Sequence, residues 1–337
     1  MKKKGMKLIA LVLSCILAAF SITACGGSDS GSETTTEDGS QKVYKVGIIL
    51  PMDHRSLNQI SDAIATQLEA ELGDNVEIIV KNANNDTSLL NSIMQELVSE
   101  DVDILIPIAT GTAQIAATTT SDIPIVFSAV SSPVEAGLVT SLNETTGNIT
   151  GVSDNIPVED IIDLALYLDP GIKTFGLLYT SSEVNSSVKM EKAKAYLNGL
   201  GIAYKEGTIT NTSELQQVAS SLASEVDAFF TNDDNTVASA MPTYVDVANK
   251  AGIPIFVGAD SMVIDGGTAT VGIDYTLLGK QTADMAIRIL KGSPISDNPV
   301  ESISEYSKVI NTTEAELLGI ELTDEIKNTF VLVGSEN

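Results

Sequence analysis

The chain has 337 residues, of which 43% are hydrophobic, and it carries a formal net charge of −26. This length exceeds what one hydrophobic core usually supports, so we expect two globular domains rather than a disordered chain. The negative charge argues against nucleic acid and anionic lipid as partners, because both require a basic surface.

The N-terminus has the pattern of an export signal. Four lysines within residues 2–7 precede an apolar stretch over residues 8–22 that is too short to span a membrane. The sequence ITACG (22–26) then resembles a bacterial lipobox, which implies that residues 1–24 are a lipoprotein signal peptide and that Cys25 becomes a lipidated N-terminus. An ordinary secretory signal is the alternative, and Cys15 is a second, worse placed lipobox cysteine.

Residues 25–42 are expected to form a flexible tether between this anchor and the folded body. Residues 26–41 contain no apolar side chain, so nothing offsets the entropy lost on ordering them. Cys25 is the only cysteine that remains after cleavage, and we therefore expect no disulfide within the body.

From residue 43 onward, short β-branched stretches alternate with stretches of helical periodicity, which is typical of βαβ units and a parallel sheet. In the first half, this pattern predicts strands over 43–50, 76–80, 104–108 and 123–128 and helices over 57–72 and 90–98. In the second half, it predicts strands over 174–179, 202–209, 228–231 and 253–257 and helices over 188–200 and 215–222.

The two halves also match each other residue by residue. Residues 96–114 align with 221–239, and residues 122–130 align with 252–260. Two matches at nearly equal offset indicate an internal duplication, although a general likeness among parallel strands is the alternative. A duplicated α/β unit gives two doubly wound lobes, and ligands of such sheets bind outside the carboxyl ends of the strands. We therefore expect a ligand cleft between the lobes.

Several segments are distributed over almost the whole body: VGIILPMDHRSLNQI (46–60), IATGTAQ (108–114), IPIVFSAVSSPVEAGLV (123–139), GNITGVSD (147–154), DNTVASAMP (234–242), IPIFVGADSMVIDGG (253–267) and VGIDYTLLGKQTADMAIRIL (271–290). They resemble the corresponding segments of the ABC-transporter substrate-binding proteins of the tryptophan/tyrosine-binding type. The resemblance implies a periplasmic-binding-protein type I fold, in which the chain crosses between the lobes three times. It assigns residues 43–153 and about 275–305 to an N-terminal lobe and residues 154–274 and about 306–337 to a C-terminal lobe.

The same resemblance implies a function. It implies an extracytoplasmic lipoprotein with a monomeric body, which captures an amino acid by hinge closure and delivers it to an ABC permease in the membrane. An aromatic amino acid is the best match for the ligand. A branched-chain amino acid, a nucleoside or a sugar is the alternative ligand, and a sensory or adhesive surface lipoprotein is the alternative role.

A free amino acid is a zwitterion, and its carboxylate needs hydrogen-bond donors. Thr110 and Thr112 offer hydroxyl groups, and Ala113 is predicted to begin a helix whose N-terminal dipole favours an anion. Ser128 and Val130 follow the fourth strand and would add a hydroxyl and a backbone amide. Helix capping by the threonines without any ligand is the alternative.

The ammonium group needs acceptors, ideally a carboxylate. Asp154, Asp233 or Asp234, and Asp260 all follow predicted strand ends, and position favours Asp260 and Asp154. Asn235 can bind either charged end of the ligand or cap the helix that follows. A solvated surface carboxylate is the alternative for each aspartate.

Four further residues are candidates for the side-chain pocket. Met52 and His54 follow the first strand, and a methionine is an adaptable contact for aromatic rings. Asn185 and Tyr275 are candidates from their positions after the fifth predicted strand and at a crossover. A surface turn residue is the alternative for His54, which is the only histidine, so we expect no His-based metal site and no cofactor.

An exported enzyme on this scaffold would need a nucleophile and a base in the cleft. The sequence contains no GxSxG motif and no P-loop, and the first strand is followed by PMDH rather than by a dinucleotide fingerprint. The sequence therefore favours a binding protein over an enzyme.

Overall fold

The computed structural model describes residues 42–334. The predicted signal peptide, the lipobox cysteine Cys25 and nearly all of the predicted tether lie outside the described residues. Within residues 42–334, no helix combines the length and apolar character needed to cross a bilayer.

Strands and helices alternate through most of the described chain. The strands are β1 Tyr44–Leu50, β2 Val76–Asn82, β3 Ile104–Pro107, β4 Ile125–Ser128, β5 Ile149–Ser153, β6 Thr174–Thr180, β7 Ala203–Ile209, β8 Ala228–Thr231, β9 Ile255–Val257, β10 Ala269–Gly272, β11 Glu301–Ser302, β12 Ser307–Asn311 and β13 Val331–Val333. The α-helices are α1 Arg55–Leu72, α2 Thr87–Ser99, α3 Thr110–Thr119, α4 Val158–Leu168, α5 Val184–Leu200, α6 Leu215–Ala223, α7 Asn235–Ala238, α8 Met241–Ala251, α9 Asp260–Ile264, α10 Tyr275–Leu290, α11 Thr312–Leu317 and α12 Asp324–Thr329.

The strands form two sheets with the orders β11-β5-β4-β3-β1-β2 and β13-β12-β10-β9-β8-β6-β7. In each sheet the five strands that come first in the sequence are parallel. They lie side by side in the order 2-1-3-4-5 of a doubly wound fold. The matching segments around β3 and β8 therefore occupy equivalent positions, as do those around β4 and β9. The predicted fold class, two similar α/β lobes, is confirmed.

The chain passes between the two sheets three times. It leaves the first sheet after β5, and it returns after β10 when α10 packs against α1. Strand β11 then pairs with β5, and β12 pairs in antiparallel fashion with β10 of the second sheet. We call the first sheet with α1, α2, α3 and α10 the N-terminal lobe, and the second sheet with its helices the C-terminal lobe.

Both faces of the central strands are buried, which explains their nearly continuous apolar sequence. Ile48 of β1 packs into the larger core with α1, whereas Ile49 points to the opposite face and packs into a second core with α2 and α3. Helix α10 approaches α1 closely at Gly279, where a β-carbon would lie only 2.7 Å from the carbonyl oxygen of Ile60. This contact fixes the start of α10 beside the start of α1, at the cleft.

Candidate functional site

The carboxyl ends of the strands of both lobes face each other around two adjacent cavities. An inner cavity of about 20 Å³ lies between the loops after β1, β3, β4, β5 and β8 and the start of α10. An outer cavity of about 390 Å³ lies between the loops after β1, β2 and β3 of the N-terminal lobe and those after β6, β7 and β8 of the C-terminal lobe. Both are lined by Ala109, Thr110, Asn185 and Asn235. The inner cavity has room for about one water-sized group.

Direct contacts join the lobes across the cavities. The His54 Nε2 atom lies 3.2 Å from the Asn235 Oδ1 atom, and the Ser56 and Ser261 hydroxyl oxygens are 2.5 Å apart. His54 and Ser56 begin α1 in the N-terminal lobe, whereas their partners belong to the C-terminal lobe. The structure is therefore that of a closed cleft.

The first turn of α3 presents two unsatisfied hydroxyl groups. Thr110 and Thr112 are buried, line the cavities, and have no hydrogen-bond partner for their Oγ1 atoms within the described chain. A buried polar group without a partner is costly, and a ligand acceptor would relieve that cost. Because these hydroxyls lie at a helix N-terminus, the arrangement suits an anion.

The backbone leading into this turn is strained. Ala109 precedes α3 with a φ of +71° and a ψ of 158°, and Ala129, after β4, has a φ of +54°. Both alanines line the inner cavity, and neither conformation is common for a residue with a β-carbon. Such strain costs on the order of 1–3 kcal/mol and is concentrated at functional sites.

Opposite α3, the inner cavity is bounded by a cluster of buried polar side chains. The Ser131 hydroxyl donates to the Asp154 carboxylate at 2.6 Å, and the Lys189 ammonium donates to Ser131 at 2.7 Å and to both Asp233 oxygens. The Tyr275 hydroxyl is 3.5 Å from Asp154. Ser131 and Asp154 follow β4 and β5 of the N-terminal lobe, whereas Lys189 and Asp233 belong to the C-terminal lobe, so the cluster also spans the cleft.

The two carboxylates of this cluster differ in their ionisation. Burial raises the pKa of Asp154 to about 7, and the nearby Lys189 only partly offsets this effect. Burial also disfavours the charged form of Asp233, but the ion pair with Lys189 and the hydrogen bonds from Asp154 and Asn232 together outweigh burial and lower its pKa. Asp233 is therefore an anion with its own counter-ion, whereas Asp154 has no cation of its own.

Met52, His54 and Asn185 complete the lining on either side. Met52 is buried against the outer cavity, and Asn185 lies at the start of α5 between the two cavities. Burial lowers the pKa of His54 to about 4, so its ring is neutral near pH 7. Its Nδ1 atom is buried and has no partner within residues 42–334, which leaves it available to a ligand.

The structure thus brings eight of the predicted site residues together around the cavities: Met52, His54, Thr110, Thr112, Asp154, Asn185, Asn235 and Tyr275. The remaining five predicted residues line neither cavity: Ala113, Ser128, Val130, Asp234 and Asp260.

Three of these five lie in the packing of the N-terminal lobe. Helix α3 begins at Thr110 rather than at the predicted Ala113, whose amide already donates to the carbonyl of Ala109. The Ser128 hydroxyl lies 2.8 Å from that of Thr282 in α10, and Val130 packs in the core against α3. These positions follow from the alternation of side chains along and just beyond the strands.

The other two are carboxylates that lie outside the cavities. Asp234 caps α7 and accepts hydrogen bonds from both the amide and the hydroxyl of Thr180, from the Ser186 hydroxyl and from the Val237 amide. The half-buried Asp260 accepts a hydrogen bond from the Ser261 amide at 2.6 Å. Asp233, the alternative to Asp234, is the neighbour that faces the inner cavity.

The sequence did not predict Lys189 as a site residue, because it lies in a lysine-rich helix whose composition is typical of a solvent-exposed helix. The available signal was its spacing of four from Asn185, which places both side chains on one face of α5. Glu183 was also missed. It lines the outer cavity, bonds the Asn235 side chain at 2.8 Å, and has its pKa raised to about 7 by burial and by Asp234.

Three comparisons relate this arrangement to known proteins. The profile of the ABC transporter substrate binding protein family matches residues 45–330. A tyrosine-binding protein from Clostridioides difficile is 35% identical over 314 residues, which cover 91% of each chain. A Streptococcus pneumoniae ABC domain solved in complex with L-Trp is 36% identical and has a TM-score of 0.83 over 87% of this chain and 100% of that one.

A third protein shows which conformation the structure resembles. The ligand-free, open structure of a substrate-binding protein with adhesive properties from Clostridium difficile is 34% identical over the same coverage, 87% of this chain and 100% of that one, but its TM-score is only 0.68. At nearly equal sequence identity, the structure is therefore closer in shape to a ligand-bound domain than to an open one. This agrees with the direct contacts between the lobes.

Proposed function

This chain belongs to the family of ABC transporter substrate-binding proteins, and we propose that its ligand is an L-amino acid with an aromatic side chain. The observation that carries the proposal is the order of chemical groups along the two cavities. A carboxylate lies at the inner end, unsatisfied hydroxyls at a helix N-terminus lie in the middle, and the large outer cavity follows. A zwitterion with a bulky side chain matches this order.

The inner end suits an ammonium group. The cavity there holds about one water-sized group, and Asp154 is the carboxylate beside it that lacks a cation of its own. The Tyr275 hydroxyl lines the same space and supplies a further acceptor. A neutral sugar would supply no cation for Asp154.

The junction of the two cavities suits the ligand's carboxylate. Thr110 and Thr112 would donate hydrogen bonds to it from their hydroxyl groups, and the first amides of α3 have no partner within their own helix. The strained Ala109 directs this turn toward the junction. Hydrogen bonds to a charged acceptor are roughly twice as strong as those between neutral groups.

The outer cavity suits an aromatic ring. Its apolar lining includes Met52, Leu90 and Ile115, and its volume of about 390 Å³ exceeds the need of a small side chain. The Glu183 carboxylate and the Asn85 side chain lie in the same lining, where a phenol O–H or an indole N–H needs a partner. The tyrosine-binding relative and the domain bound to L-Trp support this ligand class.

We further propose that Cys25 carries a lipid and that residues 25–42 tether the folded body outside the cytoplasmic membrane. In this role the closed, monomeric body would deliver its ligand to an ABC permease. The proposed lobes that close on the ligand are residues 43–153 with about 275–305, and residues 154–274 with about 306–337. Closure is favoured only as far as the ligand binds the closed form more tightly than the open one.

The ligand class can be tested by the thermal melting of the chain without its signal peptide, in the presence of the twenty amino acids, common sugars and nucleosides. A ligand that binds only the folded state raises the melting temperature in proportion to ln(1 + [L]/Kd). We expect increases with Tyr, Trp or Phe and none with Val, Leu or ribose. An increase with a nucleoside or sugar alone would contradict the proposed ligand and leave the family unchanged.

Adhesion is a second candidate role, because the 34% identical protein from Clostridium difficile is described as having adhesive properties. Ligand binding does not separate this role from import. The two roles are separated by measuring the uptake of labelled tyrosine and tryptophan by a deletion strain. Loss of uptake supports import, whereas unchanged uptake with reduced attachment supports adhesion.

A further inference from the structure

Lys189 is a fully enclosed cation in the middle of helix α5. Its side chain is 1% exposed, and a buried ammonium is tolerated only when it is paired and hydrogen-bonded. It has two partners, and they belong to different lobes. Asp233 lies in the C-terminal lobe with Lys189 itself, whereas Ser131 lies in the N-terminal lobe.

The contact with Ser131 continues to the ligand cavity. The Ser131 oxygen accepts a hydrogen bond from the Lys189 ammonium at 2.7 Å, and its own hydroxyl donates a hydrogen bond to Asp154 at 2.6 Å. The distance from Ser131 to Asp233 is longer, 3.2 Å, so the single hydroxyl proton is better placed for Asp154. A continuous chain of hydrogen bonds therefore runs from Lys189 through Ser131 to Asp154.

We propose that Lys189 is a positioning residue for ligand capture: it occupies Asp233 and orients Ser131, so that Asp154 is the carboxylate that receives the ligand's ammonium group. This inference rests on the proposed amino-acid ligand. It differs from a purely structural role, in which Lys189 would only neutralise Asp233.

The electrostatics of the cavity explain why such a residue is needed. Asp154 and Asp233 both line the inner cavity, and two buried carboxylates that share a site compete for ionisation and for any cation. Lys189 resolves this competition, because Asp233 is the carboxylate that contacts it directly. The lowered pKa of Asp233 and the raised pKa of Asp154 agree with this division. The ligand's ammonium then meets one unpaired acceptor in a fixed orientation.

The test compares tyrosine with 3-(4-hydroxyphenyl)propionate, which is tyrosine without its amino group. Loss of packing would weaken both ligands alike, whereas loss of positioning would weaken tyrosine alone. The measured quantity is the ratio of the two Kd values, obtained by titration calorimetry on the mature chain, together with the melting temperature. The ratio isolates recognition of the ammonium group.

Two variants interrupt the arrangement at different points. Lys189→Met combined with Asp233→Asn removes both buried charges, so that neither is left unpaired and the fold is retained. Ser131→Ala leaves the Lys189–Asp233 pair intact and breaks only the connection to Asp154. The matched control is Lys194→Met on the same helix, because Lys194 pairs with Glu191 and Glu206 at the surface.

We expect the wild-type protein to bind tyrosine much more tightly than 3-(4-hydroxyphenyl)propionate. In both test variants the ratio of the two Kd values should change by at least about tenfold against tyrosine, while the melting temperature stays near the wild-type value. Lys194→Met should keep the full preference. An undiminished preference in the folded double variant, or in Ser131→Ala, would overturn the role of Lys189 while leaving the proposed ligand in place. Wild-type protein that binds neither tyrosine nor tryptophan would overturn the proposed ligand and this inference with it.

Discussion

The loop after β3 in the N-terminal lobe and the loop after β8 in the C-terminal lobe occupy equivalent positions of a duplicated unit, but their polar groups are satisfied differently. After β3, the Thr110 and Thr112 hydroxyls are buried without partners. After β8, Asp233 is paired with Lys189, and Asp234 accepts hydrogen bonds from four donors. The loop after β8 also holds one buried atom that has no partner within residues 42–334, the Asn232 Oδ1 atom. We call the loop after β8 the complete loop because both of its carboxylates have protein partners, and the loop after β3 the incomplete loop because neither of its threonine hydroxyls has one.

This difference indicates that one loop contributes mainly to stability and the other mainly to ligand affinity. The C-terminal loop contributes to the stability of its own lobe, so its shape does not depend on the ligand. The N-terminal loop carries unsatisfied donors and the strained Ala109, so it would gain most from the proposed ligand carboxylate. Substitutions in the two loops should therefore separate stability from affinity.

The largest effect is expected for Asp234→Ala in the complete loop. The change leaves the Thr180 and Val237 amides without their acceptor in a buried position, and we expect a loss of about 3 kcal/mol in the free energy of unfolding. Denaturant unfolding of the protein measures this loss. The Kd for tyrosine of the protein that remains folded should change less than about threefold.

A matched control for that variant is Asp246→Ala in α8. Asp246 is exposed and pairs with Lys250 four residues later, so its removal should cost no more than about 0.5 kcal/mol. If Asp246→Ala were as destabilising as Asp234→Ala, the hydrogen bonds of Asp234 would not be what stabilises the loop.

A somewhat smaller effect, this time on affinity, is expected for Thr112→Val in the incomplete loop. The two side chains have similar shapes, so only a hydroxyl without a protein partner is lost, and stability should be unchanged or slightly higher. The bond to a ligand carboxylate would be lost, which we expect to weaken tyrosine binding by about 2 kcal/mol. Calorimetric titration measures this change, and Thr118→Val on the exposed side of α3 is the control. Equal affinity of Thr112→Val and wild type would remove Thr112 from the site.

The comparison of the two loops also separates what the sequence predicts from what it does not. The duplicated α/β order is predictable, because strands buried on both faces need continuous apolar stretches and the helices between them need one apolar face. Thr110 and Thr112 are predictable for a related reason, since the carboxyl end of a central strand must face the cleft. Both features follow from local periodicity.

The orientation of neighbouring side chains is not predictable in this way. Asp233 and Asp234 are adjacent and chemically identical, yet one lines the cavity and the other caps a helix. The backbone direction after β8 decides this, and it depends on the close approach of Gly258, where a β-carbon would lie 2.5 Å from the Asp233 amide nitrogen. Lys189 poses the same difficulty, because its burial depends on the packing of α5 against both lobes rather than on the sequence of α5.

The smallest expected effect is a pH dependence of tyrosine affinity. It should arise from Asp154 and not from Asp233, the other carboxylate of the inner cavity. Below about pH 7 the free protein holds a proton on Asp154, whose pKa burial raises to about 7, whereas a bound ammonium group would favour the ionised form. Binding would then release this proton, so the affinity for tyrosine should rise with pH up to about 7 and level off above it. The slope should reach at most about tenfold per pH unit, which is about 1.4 kcal/mol.

Several charged or titratable groups interact with Asp154 or have a pKa close to that of Asp154. One variant distinguishes their effects from that of Asp154. Lys189, Asp233, Tyr275 and Tyr306 interact electrostatically with Asp154. Among the groups lining the cavities, Glu183 has a pKa that is also raised to about 7. Asp154→Asn removes only the proposed proton donor, so calorimetry in buffers of different ionisation enthalpy should detect proton release near pH 6 in the wild type and little in this variant. Equal proton release in both proteins would assign the titration to another carboxylate, either Glu183 or Asp260, because burial raises the pKa of Glu183 to about 7 and that of Asp260 to about 6.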